Sequence, residues 1–182
     1  ADPQVIVPQY LAQIFPKGQE PKGRCLVVGA GKASASMASA FEAYAKANWP
    51  QAKVEGVVLT RYGHNSPTTH IKIVEAGHPV PDQAGMNGAK AVLALAKQLQ
   101  PDDVLIALVS GGGSSLLTLP QDGISIDDMR STTETLLRSG APIEVVENLQ
   151  ELEDEGEVYE SIEDIWPDYP SQEDFMFNED EY

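Results

Sequence analysis

Two apolar runs that empty into glycine constrain this chain more than any other feature. Arg24-Cys-Leu-Val-Val-Gly-Ala30 continues into Gly31-Lys32-Ala33-Ser34, and Val104-Leu-Ile-Ala-Leu-Val109 continues into Ser110-Gly-Gly-Gly-Ser-Ser115. A strand wetted on one face alternates apolar and polar residues. A run without alternation suits a strand covered on both faces, as in a parallel sheet. Parallel strands need crossover segments, and the chain supplies candidates. Ala33–Trp49 places Met37, Phe41, Tyr44 and Ala45 at helical spacing ahead of Pro50, and Ala84–Leu99 does the same with Ala91, Leu95 and Leu99 ahead of Pro101.

Val54–Thr60 reads as a further strand, and His70–Ala76, with Ile71 and Ile73 alternating against Lys72, as one with a wetter face. Ser125 caps a helix running to about Arg138, with Asp127 and Asp128 in its first turn, and Gly140 stops it. Residues 4–13, interrupted by Pro8, read as a lead-in or the end of a helix begun earlier. Gly77–Asp82, with two prolines, must be irregular. Strand, glycine turn and helix in repetition predict an α/β fold with a doubly wound, mostly parallel, Rossmann-like sheet.

In such a sheet ligands sit outside the carboxyl ends of the strands. Glycines let the backbone approach a ligand and turn N–H groups toward an anion; a helix start and the Lys32 charge would add to the attraction. Gly29, Gly31, Lys32 and Ser34 form one candidate loop, and Ser110, Gly111, Gly112, Gly113, Ser114 and Ser115 the other. Phosphate or carboxylate is the natural guest. For Gly29 and Gly31 a tight strand-to-helix turn without ligand is the competing reading. Named nucleotide motifs fail: Ser34 stands where a dinucleotide fingerprint needs its third glycine, and Leu26 where a P-loop needs its first. His78 could be presented to a substrate by the flanking prolines, or His78 and Asp82 could only tie their loop together. His64 and His70 read as loop surface, Asp102 and Asp103 as solvated turn residues. No metal ligands are assigned, since no two histidines have helical spacing.

Val27-Val-Gly-Ala-Gly-Lys-Ala-Ser34, Ala76-Gly-His-Pro-Val-Pro-Asp82 and Leu108-Val-Ser-Gly-Gly-Gly-Ser-Ser-Leu-Leu117, in that order and spacing, resemble the glycerate 2-kinases that carry a MOFRL domain, some of which were named hydroxypyruvate reductases. The resemblance covers about residues 1–143. It implies ATP-dependent phosphorylation of D-glycerate to 2-phosphoglycerate with Mg²⁺, in a cleft between two domains of a cytoplasmic enzyme. Lys32 would then be catalytic, steadying the transferring phosphoryl charge, and the Ser110–Ser115 backbone would cradle phosphate or the glycerate carboxylate. More than half of a family member's length is not represented, so kinase activity by these residues alone is not expected.

Charge divides the chain at the same place. Residues 1–143 hold all 12 Lys and Arg and 12 of the 28 acids; residues 144–182 hold 16 acids and no Lys or Arg. A stretch of that length at usual composition would carry about four or five basic residues. This segment is unrecognised. It reads as an acidic helical and irregular tail, with Val145, Val146, Leu149 and Leu152 on one helical face. Six of the 12 aromatics also lie there, so the segment reads either as a disordered solvated tail or as one that folds on a basic protein partner; an interaction protein is the alternative function. No nucleic acid partner is expected. No run is long and apolar enough for a membrane span. Cys25, the single cysteine, reads as a buried structural thiol.

Overall fold

The computed structural model describes residues 2–139. The chain divides into two compact units, residues 1–130 and 131–182. Of the second, only residues 131–139 are described, so the acidic tail and every expectation attached to it lie outside the described residues. Among the described residues no helix is long and apolar enough to cross a membrane.

The first unit runs α1 (Pro3–Ile14), β1 (Arg24–Ala30), α2 (Ser34–Asn48), β2 (Lys53–Arg61), β3 (Ile71–Ala76), α3 (Gln83–Ala96), β4 (Val104–Val109), α4 (Gly113–Leu116) and the start of α5 (Ile126–Ser139). The four strands form one parallel sheet in the order β3-β2-β1-β4. The expected α/β fold is therefore present. Alternation along each strand sends side chains to two faces. Cys25, Val27, Val58, Ile71 and Leu108 pack with Ala38, Phe41 and Ala45 of α2 and with Val7 and Leu11 of α1. Ala30, Leu59 and Ala76 pack with Leu116 of α4 and with Ala84 and Val92 of α3. Phe41, Leu26 and Leu59 are wholly buried, and each such side chain contributes about 1.5–3 kcal/mol.

Residues 3–14 are one continuous helix despite Pro8. Asp2 caps it, accepting the Gln4 N–H at 2.9 Å, and Pro3 sits in the first turn, where it forfeits no bond. Pro8 removes one backbone bond near the start; burial of Val7 and Leu11 on α2 outweighs it. Phe15, just beyond, meets Trp49 edge-on with ring centroids 5.1 Å apart. Ser125 caps α5 as the sequence suggests, and reciprocally: its hydroxyl accepts the Asp128 N–H at 3.1 Å while Asp128 accepts the Ser125 N–H at 3.0 Å.

Two expectations need correction. β4 is an edge strand, and Leu105, Ala107 and Val109 stand exposed on the face that α3 covers elsewhere. Its apolar run is covered on one face only among the described residues. Asp103 is not a solvated turn residue either: its side chain is only 7 % exposed and grips Arg24 through two bonds, at 3.2 Å to Nε and 2.5 Å to Nη2. That pairing, with the Gln100 N–H, holds the Asp103 carboxyl below the usual range.

Candidate functional site

The chain leaves β1 toward β2 and β3 on one side and returns to β4 on the other. Between β1 and β4 the winding reverses, and that crevice is where doubly wound sheets take ligands. Both glycine loops open into it, because Ala30 and Val109 are register partners at the strand ends.

The loops are stitched together. Ser110 N–H donates to Ala30 O at 3.1 Å, and Lys32 N–H to Gly111 O at 3.0 Å. The Ser110 hydroxyl accepts the Ala33 N–H at 3.0 Å, and the buried Ser34 hydroxyl donates to Leu108 O at 3.0 Å. Gly31 N–H donates to Leu59 O at 3.2 Å and Ser34 N–H to Gly31 O at 3.2 Å. Four consecutive N–H groups of the first loop, from Gly31 to Ser34, are thus engaged inside the protein. Its glycines have local reasons as well. A Cβ on Gly29 would strike Leu108 O, and one on Gly31, whose φ is +138°, would strike the Ser110 hydroxyl and carbonyl. Gly29, Gly31 and Ser34 serve the packing of loop on loop, and Lys32 is the group this loop turns outward, its side chain exposed.

The second loop is different. Among the described residues the N–H groups of Gly111, Gly112, Gly113 and Ser114 donate to no acceptor. A Cβ on Gly111 would meet nothing within 4 Å, so space lies open in front of it. Gly112 takes φ +82° and has no room for a side chain: a Cβ there would lie 2.9 Å from the His78 ring and 3.2 Å from Lys32 Cε. Lys32 and His78 therefore converge over the loop. The helix that follows, α4, is a single turn, so free N–H groups and the Lys32 charge, rather than a long helix dipole, make this crevice electropositive.

His78 reaches this point from the turn after β3, its Nδ1 2.6 Å from the Ser115 hydroxyl. Ser115 also donates to Gly112 O at 3.3 Å. Burial first, then the charges of Lys32 and Arg61, push His78 below its ordinary pKa, so the ring is neutral at neutral pH. Asp82 has the structural role: it caps α3 by accepting the Gly85 N–H at 2.8 Å and accepts the Tyr62 hydroxyl at 2.7 Å. His64 and His70 are exposed, as loop-surface residues are. Arg61, at the carboxyl end of β2, was not singled out by sequence reasoning. Its signal was available: a lone base at the ligand end of an apolar strand. Among the described residues neither Lys32 nor Arg61 forms an ion pair, and no three His, Cys, Asp or Glu gather to hold a metal ion.

Residues 1–149 match the family described as "Domain of unknown function (DUF4147)". The chain belongs to this family. The D-glycerate 2-kinase of Thermotoga maritima is 39 % identical over 155 residues, covering 80 % of this chain and 36 % of that protein. A relative from Agrobacterium vitis, provisionally named a hydroxypyruvate reductase, is 46 % identical over 143 residues, covering 79 % of this chain and 30 % of the relative. The crystal structure of glycerate kinase from Thermotoga maritima superposes with a TM-score of 0.60 at 36 % identity, over 79 % of this chain and 33 % of that one. The chain spans about a third of the length of these relatives. At these identities the shared α/β fold is that of the glycerate kinase structure.

Proposed function

We propose that residues 1–143 supply the oxyanion-binding part of a glycerate 2-kinase, which phosphorylates D-glycerate to 2-phosphoglycerate with ATP, and that residues 144–182 are a separate acidic segment. The observation that carries this reading is the run of four N–H groups, Gly111 to Ser114, unpaired among the described residues, with Lys32 beside it at the switch point of the sheet. Phosphoryl transfer is catalysed mainly by positioning and charge neutralisation. The loop would hold a tetrahedral oxyanion through its N–H groups, and the Lys32 ammonium would offset charge on the transferring phosphoryl. The neutral His78 has one nitrogen fixed by Ser115. When Ser115 donates to Gly112 O, Nδ1 carries the ring proton, and Nε2 is left to accept the proton of the attacking hydroxyl. Mg²⁺, which the kinase reading calls for, finds no carboxylate cluster among the described residues.

The test is thermal unfolding of the 182-residue chain with inorganic phosphate or ATP. A ligand at about 100 times its Kd adds about 2.7 kcal/mol to the folded state. Gly111→Ala puts a methyl into the open space before the loop without touching the protein, and should abolish the shift while leaving the unliganded melt unchanged. Gly112→Val, which displaces His78 and Lys32, should abolish it too. A shift that survives both variants places the ligand elsewhere. Turnover of glycerate by these 182 residues alone is not expected, and a coupled assay reading about 1–1,000 per second would contradict that.

A further inference from the structure

We propose that Arg61 holds the carboxylate of the substrate, leaving the Gly111–Ser114 loop and Lys32 to the phosphoryl group. This rests on the kinase reading and deepens it by separating the two anions of the reaction.

Arg61 is the last residue of β2, in register with Ala76, which leads into the turn bearing His78. It lies two residues beyond Leu59 and so shares its face of the sheet. Leu59 packs there against Ala30, Ala76 and Leu116, and Leu116 belongs to the one-turn helix that completes the candidate cradle. The Arg61 side chain is thus committed to the α4 side of the sheet, at its ligand end. Its Nε is buried without an acceptor among the described residues. Glu75, beside the register partner of Arg61, and Asp82, in the turn that follows, are already engaged. Glu75 accepts the Gly63 N–H at 2.7 Å, and Asp82 takes Tyr62 and Gly85. A half-buried guanidinium with no counter-ion among the described residues is costly unless something supplies the missing charge. The charge of Arg61 is felt at His78, as is that of Lys32.

The two cations are not equivalent. A guanidinium offers a flat fork that matches a carboxylate through two parallel bonds. An ammonium is a compact point charge, and diverging backbone N–H groups suit the three oxygens of a phosphoryl group. A short 2-hydroxy acid bound by Arg61 would carry its hydroxyl toward His78.

Isothermal titration of the full 182-residue chain with D-glycerate, and separately with inorganic phosphate, tests the assignment. Arg61→Lys keeps the charge and removes the fork. It should weaken glycerate binding by about tenfold or more while phosphate binding stays within about twofold. Arg61→Gln should weaken glycerate further, and Lys32→Gln should fall mainly on phosphate. Urea midpoints of each variant establish that it is folded. Glycerate affinity unchanged in both Arg61 variants, with phosphate still lost in Gly111→Ala, would overturn the role of Arg61 and leave the cradle standing. A parent chain that binds neither anion would overturn both.

Discussion

Ser110 and Ala33 are joined across the sheet crevice, the Ser110 hydroxyl accepting the Ala33 N–H at 3.0 Å. Through that bond the two glycine loops behave as one piece. Ser110→Ala leaves the Ala33 N–H without its partner and should cost about 1–2 kcal/mol. Gly31→Ala drives a Cβ into the Ser110 backbone at a φ of +138° and should cost more, about 2–4 kcal/mol. Urea unfolding of the two variants checks the order.

His78 gives the stability a pH dependence. Burial and the charges of Lys32 and Arg61 lower its pKa in the folded protein. Below its unfolded value, about 6.5, the unfolded chain therefore binds the proton more readily. Stability should be unaffected by this group above that pH. It should decline as pH falls through it, levelling once the lower folded pKa is passed. His78→Asn should flatten the decline between pH 7.5 and 5.5, followed by urea midpoints. An identical slope in parent and variant would remove His78 as its source.

Much of the fold was legible. β1 stands where its apolar run does, and Cys25 to Ala30 are buried on both faces, as such a run suits. α1 was harder, since Pro8 argues against a helix locally and only the burial of Val7 and Leu11 on another element decides otherwise. The site was legible by segment and less so by residue. Gly29 and Gly31 carry the pattern of a ligand loop, yet their missing side chains make room for Leu108 and Ser110. Asp103 looked like a turn residue because its partner, Arg24, is 79 positions away. Strand order depends on which face each helix covers, and no local pattern encodes that.

Cys25 should be inert. It is fully buried on β1, and burial, reinforced by the negative charge of Asp103, pushes its thiol up to about 11. A maleimide should label it only at the rate of global unfolding, accelerating with urea. Fast labelling of the native protein would contradict the packing of β1 against α2.

Removing residues 156–182 should leave the first unit folded, since among the described residues both core clusters are built from positions before Ser131. Those residues carry ten of the 28 acids, so the shortened chain should also elute earlier from anion-exchange resin. Loss of cooperative melting on truncation would show that the acidic segment is part of the core.

The most direct test of the central claim is a titration of the ¹⁵N-labelled chain with inorganic phosphate, read at individual amides. Among the described residues the N–H groups of Gly111 to Ser114 have no acceptor, whereas those of Gly31, Lys32 and Ala33 are bonded within the protein. Phosphate should therefore move the signals of Gly111, Gly112, Gly113 and Ser114 most, with smaller changes at Gly31 to Ala33. Shifts that gather elsewhere, or none at all up to saturating phosphate, would contradict an oxyanion cradle at this loop.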